Sequence, residues 1–281
     1  MDIGIGLPNA VPGASGTQLT EWARRAEARG FSSLGTIDRI VYDNYEPLTA
    51  LAAAAAVTER IGLCTTVLLA PLRPNPVLLA KQALSVHALS GGRLSLGLGL
   101  GAREDDYEIS GVELQGRGRR FDEILERIKE TWDGGEVGPG LEGAPRLILG
   151  GHADASYARA ARFADGWIAA GSGPDVYRDS AQKLKDVWAD AGREGEPPTM
   201  ALAYFSLGEN AAEDVRSNLM HYYAWLGDEV ASAIGASAAQ DPEAVQRVIA
   251  AYSDAGCDEL ILCPSSSDPK QVDLLADAAG L

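Results

Sequence analysis

The chain has 281 residues, of which 46% are hydrophobic and 23% charged, and its formal net charge is −16. This length suits one large α/β domain with a substantial core, so we treat residues 1–281 as a single domain. The strong negative charge repels phosphate backbones and anionic lipid headgroups, which argues against nucleic acid and membrane surfaces as partners.

The N-terminal segment MDIGIGLPN passes directly into alternating apolar residues, without the basic and long apolar stretches of a signal peptide. The longest apolar run, Leu51 to Val57, is far too short to cross a bilayer. We therefore expect a soluble, cytoplasmic protein. The cysteines are odd in number and the histidines are scattered, so we expect neither a disulfide framework nor a metal site. These residues are Cys64, Cys257, Cys263, His87, His152 and His221.

Apolar runs of strand length alternate with helical periodicity along the whole chain. The eight runs are Ile3–Leu7, Ser33–Ile37, Ile61–Leu69, Arg93–Leu100, Arg146–Leu149, Gly166–Ala169, Ala201–Leu207 and Glu259–Cys263. The helical segments are Thr17–Ala28, Pro47–Glu59, Pro76–Leu89, Arg119–Trp132, Ala155–Ala164, Val176–Ala191, a long stretch over Ala211–Ala233, Pro242–Ala255 and Asp268–Ala279. This order predicts a single (β/α)8 TIM barrel with an insertion after the seventh strand, although a doubly wound open sheet also fits the alternation.

In a parallel barrel, catalytic and binding groups come from the loops at the carboxyl ends of the strands. Three of these ends carry candidate functional residues. Asp38-Arg39 follows the second strand, Ala102-Arg103 follows the fourth, and Gly150–Ser156 follows the fifth and leads directly into a helix.

The segment Gly150–Ser156 is typical of an anion site, because glycines and small residues leave the first backbone N–H groups of the helix free. Arg103, at the neighbouring strand end, is placed to clamp the same anion through its guanidinium. Two alternatives stay open. The segment is also compatible with an ordinary glycine turn capped by Asp154, and Arg103 with a surface ion pair to the acids at positions 104–106.

Three glycines, Gly97, Gly99 and Gly101, alternate along the fourth strand. Their spacing lacks the Gly-x-x-Gly turn that opens a helix in a dinucleotide-binding fingerprint. Alternating glycines leave one face of a strand bare, which makes room either for a planar ligand or for bulky neighbours inside the barrel.

Four segments occur here in an order and spacing that recur together in one family. They are ERIGLCTTVLLAPLRPNPVLLAKQALSVHALSGGRLSLGLGLGAREDDYEISGV, GRGRRFDEILERIKETWDGG, LILGGHADASYARAARFADGWIAA and AGCDELILCPSSSDPKQVDLLAD. The chain thereby resembles the bacterial luciferase-like flavin-dependent oxidoreductases. The resemblance implies a (β/α)8 barrel, often dimeric, that uses reduced FMN or F420 on a small organic substrate. The reaction is either hydride transfer or monooxygenation with O2, and the middle motifs favour F420 over FMN.

The resemblance also assigns cofactor-binding residues. It places the phosphate tail of the cofactor between two turns, where the contacts would come from Ala102, Arg103, Gly150, Gly151, His152, Ala153 and Ser156. In this family the third strand carries a bulge, with a non-proline cis peptide bond, that supports the central flavin ring. The matching bond here is Thr66–Val67, which makes Thr65, Thr66 and Val67 candidates for that role.

The end of the second strand departs from the family pattern. Many members have an acidic residue followed by a catalytic histidine, whereas this chain has Asp38-Arg39. An arginine cannot transfer protons near neutral pH, but it can donate hydrogen bonds to an anionic reduced flavin or a carboxylate substrate. We name Asp38 and Arg39 as the catalytic candidates. The alternatives are a local ion-pair network and a catalytically silent flavin-binding paralogue.

The substrate candidates are aromatic or imidazole side chains near the expected barrel mouth, namely Tyr42, Tyr45, His221 and Tyr222. The last two belong to an aromatic cluster that either covers the mouth as a lid or packs as a helix face on the barrel or a second subunit. A barrel hydrolase or aldolase ranks last, because no strand ends in lysine and only Asp38 and Glu104 are well-placed carboxylates.

Overall fold

The strands form one closed parallel barrel in the computed structural model, which describes residues 1–140, 143–169 and 171–281. They are β1 (Asp2–Gly6), β2 (Ser33–Thr36), β3 (Gly62–Thr65), β4 (Leu68–Leu69), β5 (Leu94–Gly99), β6 (Arg146–Gly150), β7 (Gly166–Ala169), β8 (Thr199–Phe205) and β9 (Glu259–Pro264). Their order is β3-β2-β1-β9-β8-β7-β6-β5-β4, and a further pairing of β3 with β5 closes the ring. Because β3 and β4 both pair with β5, they are two halves of one barrel strand. The TIM barrel is confirmed, and the doubly wound alternative is wrong.

The helices surround the barrel and follow the strands in the predicted order. They are α1 (Gly16–Arg29), α2 (Pro47–Ala55), α3 (Pro76–Leu89), α4 (Glu104–Ile109), α5 (Arg117–Asp133), α6 (Asp154–Phe163), α7 (Pro174–Asp190), α8 (Ala211–Tyr223), α9 (Asp228–Ser237), α10 (Pro242–Asp254) and α11 (Lys270–Ala279). Several begin at a proline preceded by a capping side chain; Asn75, for example, accepts from the Leu78 N–H at 3.0 Å. None in the described part of the chain is long and apolar enough to cross a bilayer.

Two segments of the chain differ from the sequence expectation. The charged segment after β5 is not a turn but the short helix α4, whose six residues are too few to show a periodic pattern. The long stretch after β8 forms two helices, α8 and α9, separated by a short 3-10 helix at Ala224–Leu226. This pair is the insertion predicted after the seventh barrel strand.

Successive residues of each strand point alternately outward and inward, which divides the core in two. Outward residues such as Leu34, Leu96 and Trp167 pack against the helices in the larger cluster. Inward residues such as Ile148, Leu202 and Ile261 form a separate cluster inside the barrel. The carboxyl end of this interior is where the predicted site residues meet.

Candidate functional site

The bulge expected from the resemblance lies between β3 and β4. Thr66–Val67 is a cis peptide bond, at the position that the resemblance implied. The hydroxyl of Thr65 donates to the Gly97 carbonyl at 2.6 Å, and that of Thr66 donates to the Thr36 carbonyl at 3.0 Å. The bulge is therefore bonded to a neighbouring strand on each side.

The glycines of β5 make room for this bulge. A Cβ on Gly97 would lie 1.8 Å from the carbonyl oxygen of Thr65, and one on Gly99 would lie 2.5 Å from Cγ2 of Val67. Of the two interpretations of the bare strand face, the structure supports bulky neighbours. The space over Gly97 and Gly99 holds the bulge itself.

Asp38 is buried just beyond β2 and is paired with Arg73, not with Arg39. Its Oδ2 accepts from the Leu69 backbone N–H at 2.7 Å and lies 2.8 Å from the Arg73 guanidinium. Burial raises the pKa of Asp38, an effect that the charge of Arg73 opposes. Its Oδ1 has no hydrogen-bond partner among the described residues.

Arg39 is held by the acids that follow β5. Its Nε donates to Asp106 at 2.9 Å, and its Nη2 donates to Asp105 and to the Val41 carbonyl, each at 2.9 Å. The second carboxylate oxygen of Asp106 accepts from the N–H groups of Ile40 and Val41 at 3.0 and 2.7 Å. Of the three guanidinium nitrogens of Arg39, two are hydrogen-bonded and Nη1 has no hydrogen bond within the described ranges. A local ion-pair network therefore describes Arg39 better than a catalytic role does.

Arg103 is buried, with 9% of the residue exposed, so a surface ion pair is wrong. Its guanidinium donates to the Tyr222 carbonyl and lies 4.6 and 4.9 Å from the ring centres of Tyr222 and Trp225. Burial lowers the pKa of Arg103. It forms no ion pair with any described carboxylate; its guanidinium contacts a carbonyl and two aromatic faces, while Asp105 and Asp106 act on it from a longer distance.

The C-terminal end of α8 covers the barrel mouth and brings three of the four substrate candidates together. The Tyr42 hydroxyl is hydrogen-bonded to Nδ1 of His221 at 3.1 Å, and the Tyr42 and Tyr222 ring centres are 5.2 Å apart. Tyr222 lines a cavity of about 10 Å³, and His221 lines a separate, more open one of about 370 Å³. Tyr45 lies apart, with 38% of its surface exposed.

The turn after β6 has the features expected of an anion site. Gly151 has φ +134°, and a Cβ there would lie 2.6 Å from Oγ of Ser156, so only glycine fits. Helix α6 has Ala153 at its N-cap with no side-chain cap, which rules out Asp154 as the cap. Nδ1 of His152 is hydrogen-bonded to Oγ of Ser180 at 3.2 Å.

The two halves of the predicted phosphate clamp follow neighbouring strands, since β5 pairs directly with β6. Among the described residues no hydrogen bond joins Arg103 to the turn at 150–156, because the guanidinium is turned toward α8. The joint clamp therefore stays a prediction.

Three residues that shape this site received no role in the site from the sequence: Asp106, Arg73 and Asn9. The Asn9 amide donates to the carbonyls of Ile37 and Tyr45 at 2.8 and 3.0 Å, which fixes the loop that carries Asp38 and Arg39. The position of Asn9, a polar residue three residues beyond the end of β1, was the available signal.

Comparison with known proteins agrees with this architecture. The family model for luciferase-like monooxygenases matches residues 1–273. An uncharacterized protein of Mycobacterium tuberculosis is 35% identical over 207 residues, in a match covering 61% of this chain and 71% of that protein. The pyrimidine monooxygenase RutA of Stutzerimonas stutzeri is 26% identical over 220 residues, covering 70% of this chain and 60% of that protein.

Two solved structures share the fold. An F420-dependent secondary alcohol dehydrogenase in complex with an F420-acetone adduct has a TM-score of 0.84 at 17% identity, covering 99% of this chain and 97% of that one. The oxygenating constituent of 3,6-diketocamphane monooxygenase from Pseudomonas putida, in complex with FMN, has a TM-score of 0.72 at 18% identity, covering 98% and 96%. Since the family model spans nearly the whole sequence, the chain belongs to the luciferase-like monooxygenase family.

Proposed function

We propose that this protein is an oxidoreductase that binds a reduced flavin-type cofactor at the carboxyl end of its barrel and acts on a small organic substrate. The buried guanidinium of Arg103 carries the proposal, because it has no carboxylate partner among the described residues. A desolvated cation of this kind is stabilised by an anionic ligand. The phosphate of a flavin-type cofactor would supply that anion.

Other groups at this end of the barrel fit the same ligand. The first turn of α6 has no side-chain cap, and Gly151 leaves space beside Ser156 that any other residue would fill. Two buried oxygens at the end of β2, Oγ1 of Thr36 and Oδ1 of Asp38, have no described hydrogen-bond partner. These atoms are available to a ligand seated against the second and third barrel strands.

The division of roles follows from these positions. Arg103, Ala102 and the turn from Gly150 to Ser156 would hold the phosphate, and Thr65–Val67 would lie behind the ring. The cofactor when bound supplies hydride transfer or, with O2, oxygenation. Tyr222 is buried and lines only a small cavity, so we expect the end of α8 to shift outward when the ring binds.

Of the two cofactors we favour F420. The middle sequence motifs point to it. The F420-dependent alcohol dehydrogenase and the FMN-containing monooxygenase, at 17% and 18% identity, share the fold and do not distinguish the two cofactors. The site is compatible with either cofactor, so titration with each of them decides between F420 and FMN.

The test is binding of reduced F420 and reduced FMN to the purified protein, followed anaerobically by calorimetry or tryptophan fluorescence. Trp225 stacks on Arg103 and is a built-in reporter. Arg103→Ala is expected to weaken binding by about 1.5–3 kcal/mol, roughly tenfold to a hundredfold. Arg178→Ala, which removes an exposed ion pair with Asp175, serves as the control and is expected to bind normally.

If neither reduced F420 nor reduced FMN binds at micromolar concentration, the proposed function is contradicted. An unchanged dissociation constant for Arg103→Ala, with intact binding by the wild type, would remove only Arg103 from the site. The two results are therefore distinguishable.

A catalytically silent flavin-binding protein is the second candidate, and the state of Arg39 favours it. Its guanidinium is engaged by Asp105 and Asp106, and it stands where many relatives have a histidine. This candidate predicts stoichiometric cofactor binding without cofactor oxidation over a panel of alcohols, ketones and heterocycles, with and without O2. Oxidation dependent on any one substrate would exclude it.

A further inference from the structure

A second cavity, of about 570 Å³, lies at the amino ends of the strands, on the opposite side of the barrel from the candidate cofactor site. The interior of such barrels is ordinarily filled by bulky side chains. Here the inward residues that begin the strands are small or charged, and they include Asp2, Ser33, Gly62, Ser95, Arg146 and Glu259. The volume is in the range of small-molecule sites.

The acidic side of this cavity is built into the barrel. Oε1 of Glu259 accepts from the hydroxyls of Ser32 and Ser33, each at 2.6 Å. A Cβ on Gly4 would lie 2.6 Å from Oγ of Ser33 and 3.1 Å from Glu259, so these side chains lie across the inner face of β1. The paired register of Asp2 with Glu259 places a second carboxylate beside the first.

The basic side of the cavity lies across the barrel from the acidic side. In the ring, β9 and β1 are neighbours, and β5 and β6 are neighbours, with two barrel strands between the pairs on each side. Arg146 opens β6, and Arg93 immediately precedes β5. The Arg93 guanidinium already donates hydrogen bonds to carbonyl and hydroxyl oxygens, including the carbonyl oxygen of Ile61 at 2.6 Å. Arg146 makes no side-chain hydrogen bond or ion pair within the described ranges, so it is available to a ligand.

The imidazole of His87 is an independent indication that this cavity holds a ligand. His87, on α3, lines the same cavity and is only 6% exposed. Its Nδ1 is buried and has no hydrogen-bond partner among the described residues. Buried polar atoms are nearly always satisfied by protein, water or ligand.

We propose that this cavity binds a small zwitterion, with its carboxylate toward Arg146 and its ammonium toward Asp2 and Glu259. A ligand with a single charge would pair with only one of the two walls. The other wall would either repel it or stay without a partner. Because the two walls face each other across the barrel, the geometry points to an ω-amino acid, whose charges are separated by several bonds. This site is distinct from the cofactor site and does not depend on it.

The test uses three probes of matched length on the full-length protein: 5-aminopentanoate, pentanoate and pentylamine. Calorimetry is expected to show binding of the zwitterion at least about tenfold tighter than either singly charged analogue. Arg146→Met and Asp2→Asn are each expected to weaken zwitterion binding by about tenfold or more. Both positions are exposed at the cavity rim, so folding is retained.

The control is Arg119→Met, at an arginine whose side chain is 85% exposed on α5, and it is expected to bind the zwitterion as the wild type does. The proposal is overturned if 5-aminopentanoate fails to bind at about 10 mM, if the three probes bind equally, or if Arg146→Met leaves the affinity unchanged.

Discussion

Replacing Gly97 with alanine is expected to destabilise the protein by at least about 3 kcal/mol, more than most single substitutions do. The added methyl would sit 1.8 Å from the carbonyl oxygen of Thr65, a separation that no pair of non-bonded atoms tolerates. The opposing atom belongs to the backbone, and Thr65 is itself tied to Gly97 by a 2.6 Å hydrogen bond. Neither partner can yield without moving the bulge between β3 and β4.

Urea unfolding followed by circular dichroism measures this loss, and cofactor titration measures its consequence for the site. Gly16→Ala is the matched control. Gly16 opens α1, and a Cβ there would meet nothing within 4 Å, so the same substitution is expected to be neutral or slightly stabilising. A Gly97→Ala protein as stable as the Gly16→Ala protein would show that the close packing of β5 on the bulge is incorrect.

Replacing Asp106 with alanine is expected to cost about 3–5 kcal/mol, because it leaves the buried guanidinium of Arg39 without its buried partner. Asp106 is fully buried and also accepts from the N–H groups of Ile40 and Val41, which lose their acceptor in the same substitution. The loop between β2 and α2 is expected to loosen together with the loss of stability. Urea unfolding gives the first effect and limited proteolysis of residues 39–46 the second.

Two comparisons separate charge from hydrogen bonding. Asp105→Ala removes the half-exposed partner of Arg39 and is expected to cost at most about 1 kcal/mol. Asp106→Asn retains an oxygen for the two N–H groups but removes the charge, so an intermediate loss is expected. Equal stabilities of Asp105→Ala and Asp106→Ala would contradict the assignment of Asp106 as the main partner.

The hydrophobic alternation and the proline-marked helix starts predicted the fold closely. Strand Gly166–Ala169 and helix Pro76–Leu89 have the predicted bounds, and most other elements differ by one or two residues. Periodicity failed where a helix was too short, as at Glu104–Ile109, and where two helices follow each other closely after β8. It also placed the end of α2 at Glu59, four residues beyond its observed end at Ala55. Local propensity and burial pattern are sufficient for elements of ordinary length.

The site could be predicted in its location but not in its pairings. The sequence placed Arg39, Arg103 and the acids at 104–106 at strand ends, yet it left open which charges meet. Arg39 and Asp106 are separated by 67 positions, and their contact exists only because β2 and β5 are brought to the same end of a closed barrel. Arg103, in contrast, is followed in the chain by three acids and forms an ion pair with none of them, so closeness in sequence did not predict a contact.

By itself the sequence determined the alternating parallel barrel and the turn at Gly150–Ser156, because these depend on periodicity, glycine geometry and local motifs. The position of the bulge came from the resemblance to the family. Tertiary structure alone decided that the bare face of β5 accommodates the bulge, that Arg103 is buried without an ion pair to any described carboxylate, and that charged walls face each other at the amino end of the barrel. These features arise between residues far apart in the chain. Only the closure of the sheet fixes which side chains share the space inside it.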